Sequence, residues 1–198
     1  MIAVDPDAVT VPLRWEELFG RRAPVHVDLG SGKCRFLLEL AAARSDIDLL
    51  GVERARKYFE LGCQRTARRG LPNVRMLHTT GEDLLFRLLP EASVAAFYVL
   101  FPDPWPKKRH HKRRFFRREN ALRIVECLEP GGRLLVKTDH PEYAEVIEEV
   151  LHGLPGTRPL DAEALFAALP LTGFEHKYRI EGRPIRAFAL ERTLLSES

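Results

Sequence analysis

The sequence predicts an α/β fold, a mostly parallel sheet with crossover helices that ends in a C-terminal antiparallel strand pair. Three observations point to it. Strand-like and helix-like stretches alternate about five times over roughly 130 residues, the rhythm of strand–helix–strand units rather than of a bundle or sandwich. The stretch AAFYVLF at 95–101 is almost wholly apolar, as a central parallel strand covered on both faces must be. The first strand candidate also runs into a turn with two glycines, Gly30 and Gly32, at the end of the sheet where α/β proteins bind ligands.

Each element follows in order. VHVDL at 25–29 alternates loosely and stops at Gly30. LLELAAAR at 37–44 is rich in strong helix formers. DLLGVE at 48–53 is the second strand, followed by a helix through Arg69 that turns Tyr58, Leu61 and Ala67 inward. VRML at 74–77 is the third, with a short helix over 82–88 closed by Pro90. After the apolar strand at 95–101, a helix over 115–128 ends before Pro130-Gly131-Gly132. RLLVKT at 133–138 is the fifth strand and 141–152 a helix. The C-terminal part changes character: a short helix over 161–168 ends at Pro170, and 174–180 and 184–191 flank Glu181-Gly182-Arg183 as an antiparallel hairpin. Residues 1–24 are expected as an irregular N-terminal extension and 25–195 as a single domain, without repeat, low-complexity tract or linker.

Composition narrows the function classes. With 198 residues, 45% hydrophobic and 30% charged, the chain can bury a core and is neither disordered nor fibrous. It contains no apolar run of the ~18 residues a membrane-spanning helix needs, and MIAVDPDAVTVP lacks the basic-then-apolar pattern of a secretory leader. Cys34, Cys63 and Cys127 are an odd, sparse set without metal-ligand spacing, which argues for a reducing cytoplasm and against a disulfide framework or zinc site. The net charge is only +3, but KKRHHKRRFFRR at 107–118 holds eight Lys or Arg and no acid, while the remainder carries 23 basic against 28 acidic residues. Attraction of a polyanion is therefore local.

Asp28-Leu29-Gly30-Ser31-Gly32 lets the backbone turn sharply and approach a ligand, with Asp28 at the strand end facing the same crevice. Lys33 and Phe36 replace later residues of the three-glycine dinucleotide fingerprint, which argues against a pyrophosphate cofactor; a purely structural turn is the plain alternative. Glu53, ending the second strand, can accept both hydroxyls of a ribose, unless it merely pairs with Arg54. A ribose without phosphates fits S-adenosylmethionine. Thr80-Gly81-Glu82 either meets an adenine edge or supplies a helix cap and its partner.

In Phe101-Pro102-Asp103-Pro104-Trp105-Pro106, three prolines fix the backbone and hold Asp103 and Trp105 at the strand's C-terminal edge. An acid and an indole held in this way suit a planar base, the acid accepting its N–H groups and an aromatic face stacking on it. The basic run that follows suits phosphate contact. His110 and His111 are adjacent and do not converge on a metal, so no metal is expected. Asp139 ends the fifth strand beside Asp103, and Thr172-Gly173-Phe174-Glu175 can fold back over the crevice.

Pro102-Asp103-Pro104-Trp105-Pro106-Lys107-Lys108-Arg109-His110 through Lys112-Arg113-Arg114, with Lys137-Thr138-Asp139, Thr172-Gly173-Phe174-Glu175 and Gly182-Arg183-Pro184-Ile185, resembles the bacterial tRNA (guanine-N7-)-methyltransferase family over residues 14–192. The resemblance implies a Rossmann-like class I S-adenosylmethionine-dependent methyltransferase that methylates the variable-loop guanine at position 46 of tRNA, as a monomer or homodimer. It implies cofactor contacts at Asp28, Gly30, Gly32, Glu53, Thr80, Gly81, Glu82 and Asp103, with Asp103 as the catalytic candidate. Substrate contacts fall at Lys107, Asp139, Thr172 and Glu175, and phosphate contacts at Lys108, Arg109, Lys112, Arg113 and Arg114. Asp28 and Lys33 stand where the family commonly has Glu and a third glycine, and Thr80 where an acid or Asn is usual. The alternatives are a methyltransferase acting on another RNA and a non-catalytic RNA-binding protein on the same fold.

Guanine N7 carries a free lone pair, so its methylation needs no general base. Positioning, and a carboxylate on the purine's N–H edge as positive charge develops, are the expected sources of rate. Asp103, Asp139 or Glu175 is expected in that role, with Thr172 aiding orientation.

Overall fold

The computed structural model describes residues 2–193; residues 194 and 195, the end of the expected domain, lie outside them. Five strands run parallel at the centre: β2 (Val25–Leu29), β3 (Asp48–Val52), β4 (Val74–Leu77), β5 (Val94–Leu100) and β6 (Leu128–Thr138). The short β1 (Ala3–Val4) extends this parallel set beside β4, whereas β8 (Arg186–Arg192) pairs antiparallel with both β6 and β7 (Thr157–Pro159). The order across the sheet is β1-β4-β3-β2-β5-β6-β8-β7. Chain progression therefore reverses between β2 and β5, where Asp28 lies level with Tyr98. In open α/β sheets a crevice opens at the strand C-termini of such a reversal.

The strands are buried on both faces because each side chain has a helix layer to enter. Val27, Leu50, Phe97, Val99, Leu134 and Val136 join one core with α5 (Arg118–Cys127) and α6 (Pro141–Leu151). Leu49, Met76, Ala96, Tyr98 and Leu135 join the other with α2 (Arg35–Ala43), and Phe166 of α7 (Ala162–Ala167) packs there as well. This two-sided burial is the physical reason for the near-continuous apolar runs.

Several boundaries differ from expectation. The N-terminal segment is not wholly irregular, since it supplies β1 and α1 (Trp15–Phe19). In α3 (Arg56–Arg69) the inward positions are Gly62 and Thr66, with Phe59 and Cys63 packed against the core, while Tyr58 and Ala67 are exposed. The short α4 (Gly81–Asp83) continues as a π-helical turn at Leu84–Leu88. The basic segment forms a 3₁₀-helix over Lys108–Arg113 ahead of α5.

The largest correction concerns 174–180, expected as a strand and found as a helix, α8 (Gly173–Ile180). Thr172 Oγ1 accepts the Glu175 N–H at 2.8 Å, an N-cap that fixes the first turn. Glu175–Arg179 and Lys177–Glu181 then pair along it at helical spacing. The antiparallel pair does exist at this end of the chain, but its members are β7 and β8, with β8 inserted between β6 and β7.

Candidate active site and nucleic-acid interface

The glycine turn leaves β2 in the left-handed region, with φ of 83° at Gly30 and 53° at Gly32. Its amides are already engaged. The Gly30 and Ser31 N–H groups donate to the Val52 carbonyl at 2.9 and 3.0 Å, and the Gly32 N–H donates to Glu53 Oε2 at 2.9 Å. Glu53 Oε1 accepts the Ala55 N–H at 2.7 Å, so one buried carboxylate ties the end of β3 to the loop after β2. Each oxygen keeps a further lone pair for a hydroxyl donor. Arg54 does not pair with Glu53; it reaches across to Asp103.

Asp28 is 3% exposed. Burial, reinforced by the negative charge of Glu53, pushes its carboxyl up to about 7. Two buried carboxylates at the turn make a poor cradle for a pyrophosphate. The same donor set suits ribose hydroxyls and a cationic ligand, and a Cβ built on Gly30 meets nothing within 4 Å, so that edge of the turn is open. The residues fit S-adenosylmethionine.

At Thr80 the capping reading holds. Its Oγ1 accepts the Asp83 N–H at 3.1 Å, Thr79 donates to Asp83 Oδ2 at 2.6 Å, and Glu82 lies 3.7 Å from Arg117. The cap's third-position partner is therefore Asp83 rather than Glu82. Gly81 gives room to Phe115, whose ring would lie 2.7 Å from an added Cβ.

Beyond β5 the proline loop adopts φ of 57° at Phe101 and 45° at Trp105, both left-handed. Asp103 is exposed, and its Oδ2 accepts from Arg54 Nη2 at 2.8 Å. This contact brings the end of β3 and the proline loop to one crevice. The Trp105 ring is occupied by the protein's own side chains: Arg113 and Arg54 lie 5.0 and 5.8 Å from its centroid, and His110 meets it edge-on at 5.8 Å. The expected free indole face for a base is thus taken.

Lys107, Lys108, Arg109, Lys112 and Arg113 are exposed and make no ion pair among the described residues. Arg114, expected with them on the phosphate-facing surface, is instead 4% exposed. Its Nε donates to the Pro104 carbonyl at 2.8 Å, its two terminal nitrogens grip Glu142 at 2.9 and 2.6 Å, and the guanidinium lies over Tyr143. It holds the loop shut rather than facing a ligand.

The rim is completed by β6 and α8. Asp139 accepts from Arg183 at 3.1 Å. Glu175 is buried, its Oε1 accepting from Lys137 Nζ at 2.6 Å and from Arg179 at 2.7 Å, and Lys137 in turn lies 4.2 Å from the Phe166 centroid. The Lys137-Thr138-Asp139 signature assigns Lys137 no role by itself; a lysine in an otherwise apolar strand is the signal that it needs a buried partner.

A sheet reversing at β2 and β5, a glycine turn tied to a buried acid and a rigid acid loop at the next strand end define a Rossmann-like class I S-adenosylmethionine-dependent methyltransferase. Residues 22–187 match the family described as "Putative methyltransferase". The chain belongs to the tRNA (guanine-N(7)-)-methyltransferase family. It is 38% identical over 189 residues to the member from Mycobacterium avium (strain 104), covering 94% of this chain and 73% of that one. Against the Nitrosococcus oceani member it is 34% identical over 188 residues, covering 95% and 80%. Among solved structures, the 16S rRNA methyltransferase KamB shares the fold with a TM-score of 0.63 at 17% identity, over 91% of this chain and 93% of that one. Among the described residues there is no cluster of metal-ligating side chains and no helix long and apolar enough to cross a membrane.

Two outcomes test this geometry. Arg114→Ala, which removes charge-assisted bonds from a buried guanidinium, is expected to destabilise the protein by about 2–3 kcal/mol in urea unfolding, whereas Lys112→Ala stays within about 0.5 kcal/mol of wild type; equal effects would contradict the division of labour. The raised Asp28 carboxyl keeps a proton in the folded state that the unfolded chain has lost, so its contribution falls as pH rises from near 4 to about 7. Asp28→Asn should therefore gain stability over wild type by about 1 kcal/mol or more between pH 5 and pH 8. A pH-independent difference would refute that assignment.

Proposed function

We propose that this protein transfers a methyl group from S-adenosylmethionine to N7 of guanine in tRNA, at variable-loop position 46. The Arg54–Asp103 contact carries the reading, because it joins the Gly30–Glu53 cofactor side to the proline loop from which the unpaired cations extend. When bound, S-adenosylmethionine supplies an electrophilic methyl on a sulfonium.

The residues divide the remaining work. Glu53 and the Gly30–Gly32 turn hold the ribose side, and Asp28 favours a cationic ligand once ionised. Thr80 and Glu82 contribute less than Gly81 and the neighbouring backbone, since their side chains serve the cap and Arg117. Because N7 has a free lone pair, no side chain need remove a proton from it, and alignment is the main task. Asp103, with Asp139 on the neighbouring rim, stabilises the purine's N–H edge as positive charge grows, while the buried Glu175 is committed to Lys137 and Arg179. Thr172 fixes Glu175 through its backbone. Lys107 sits at the start of the basic helix to meet the substrate, and Lys108, Arg109, Lys112 and Arg113 bind phosphates without reading sequence. That binding offsets the unstacking of a guanine engaged in tertiary structure.

Incubating unmodified tRNA with labelled methyl donor and mapping the product should give 7-methylguanosine at the variable loop, and Asp103→Ala should lower turnover by about 10²-fold or more. Methylation at another nucleotide or of another RNA would overturn the substrate assignment. tRNA affinity should also drop about 100-fold between 50 and 200 mM salt for some five phosphate contacts, and a flat titration would remove the basic segment from the interface.

A further inference from the structure

A purine taken out of the tRNA stack loses the faces it was packed against, so a site that receives it gains most from an aromatic ring left open at the crevice. Trp105 is the aromatic that the sequence offers, and its ring is already overlain by Arg54 and Arg113. Another ring meets the requirement. Phe174 lies in the first turn of α8, between the buried Thr172 and Glu175, yet is itself 54% exposed.

The exposure is not slack. Phe174 stacks on Tyr178 one turn later, with centroids 5.9 Å apart and planes at 26°, and contacts Phe101 at 6.4 Å. Phe101 and Tyr178 meet edge-on at 5.4 Å, and Arg183 covers Tyr178 at 4.6 Å. Phe101 is the residue between β5 and Pro102-Asp103, so this three-ring stack begins at the root of the proline loop. At the other end of the turn, a Cβ on Gly173 would lie 4.0 Å from Arg35, the first residue of the helix that follows the Gly30–Gly32 turn. The start of α8 therefore sits between the cofactor loop and the acid loop, with Phe174 as the uncovered member of the stack.

We propose that Phe174, braced by Tyr178 and Phe101, is the surface on which the target guanine stacks. The proposal rests on the N7-methyltransfer reading and names the group that receives the base. Its chemistry also bears on rate: N7 methylation turns a neutral purine into a cation, and an aromatic face attracts a cation more than a neutral ring. Stacking on Phe174 thus strengthens as the reaction proceeds, which raises kcat as well as lowering KM.

Steady-state methylation of unmodified tRNA by wild type, Phe174→Leu and Phe174→Trp tests it. Leucine keeps the apolar bulk and removes the π face, and urea unfolding of this exposed position should match wild type. Phe174→Leu should lower kcat/KM at least tenfold with part of the loss in kcat, and Phe174→Trp should restore most of it. The fluorescence that Phe174→Trp adds over wild type should be quenched more by 7-methylguanosine than by guanosine. A Phe174→Leu enzyme within twofold of an active wild type, or added fluorescence indifferent to both nucleosides, overturns the stacking role and leaves the activity standing. Absence of 7-methylguanosine from the wild-type reaction overturns the activity, and the stacking role with it.

Discussion

In-register pairing of two parallel strands, β2 and β5, is the constraint on which the site depends. Because Asp28 lies level with Tyr98 and β3 flanks β2 on the other side, the loops leaving the three strands emerge at one edge of the sheet. The Glu53 carboxylate then reaches back to the Gly32 amide, and Arg54 reaches across to Asp103. Residues far apart in sequence meet because the core chooses the register: shifting a doubly buried strand by one residue would send its apolar side chains to the wrong layer.

Charge is used in two ways. Lys137 and Arg114 are buried cations with carboxylate partners, where loss of one member would strand the other or open a packed loop. Lys107, Lys108, Arg109, Lys112 and Arg113 are solvated, and their mutual repulsion is relieved when phosphates arrive. The carboxylates are likewise sorted. Asp28 is buried beside the Glu53 charge, Glu53 accepts one backbone donor on each oxygen, and Asp103 remains at the surface, where a substrate can displace its arginine.

Much of this was legible in the chain. Strands at 25–29, 48–52, 74–77 and 94–100 declare themselves because burial on both faces favours short, mostly apolar runs bounded by glycine, proline or charge. The loops at their ends declare the site for the same reason. The helix at 173–180 was hidden because Phe174 and Ile180 face solvent, so the segment lacks a buried apolar stripe and its alternation imitates a strand. The local signal was Thr172 followed by Glu175, a capping pattern that outweighs the alternation. Nothing near Arg114 marks it as different from Arg113; its partner Glu142 is 28 residues away and only folding brings them together. The occupied state of Trp105 is equally a product of the folded loop, since Arg54 arrives from another strand.

The link from Arg114 to the Pro104 carbonyl fastens the segment carrying the cations back onto its own beginning. Most of the ordering of this cationic arm is thereby completed when the protein folds, not when RNA arrives. Encounter with the nucleic acid then sacrifices little main-chain freedom, and electrostatic attraction can be retained as affinity instead of being consumed in shaping a floppy tether.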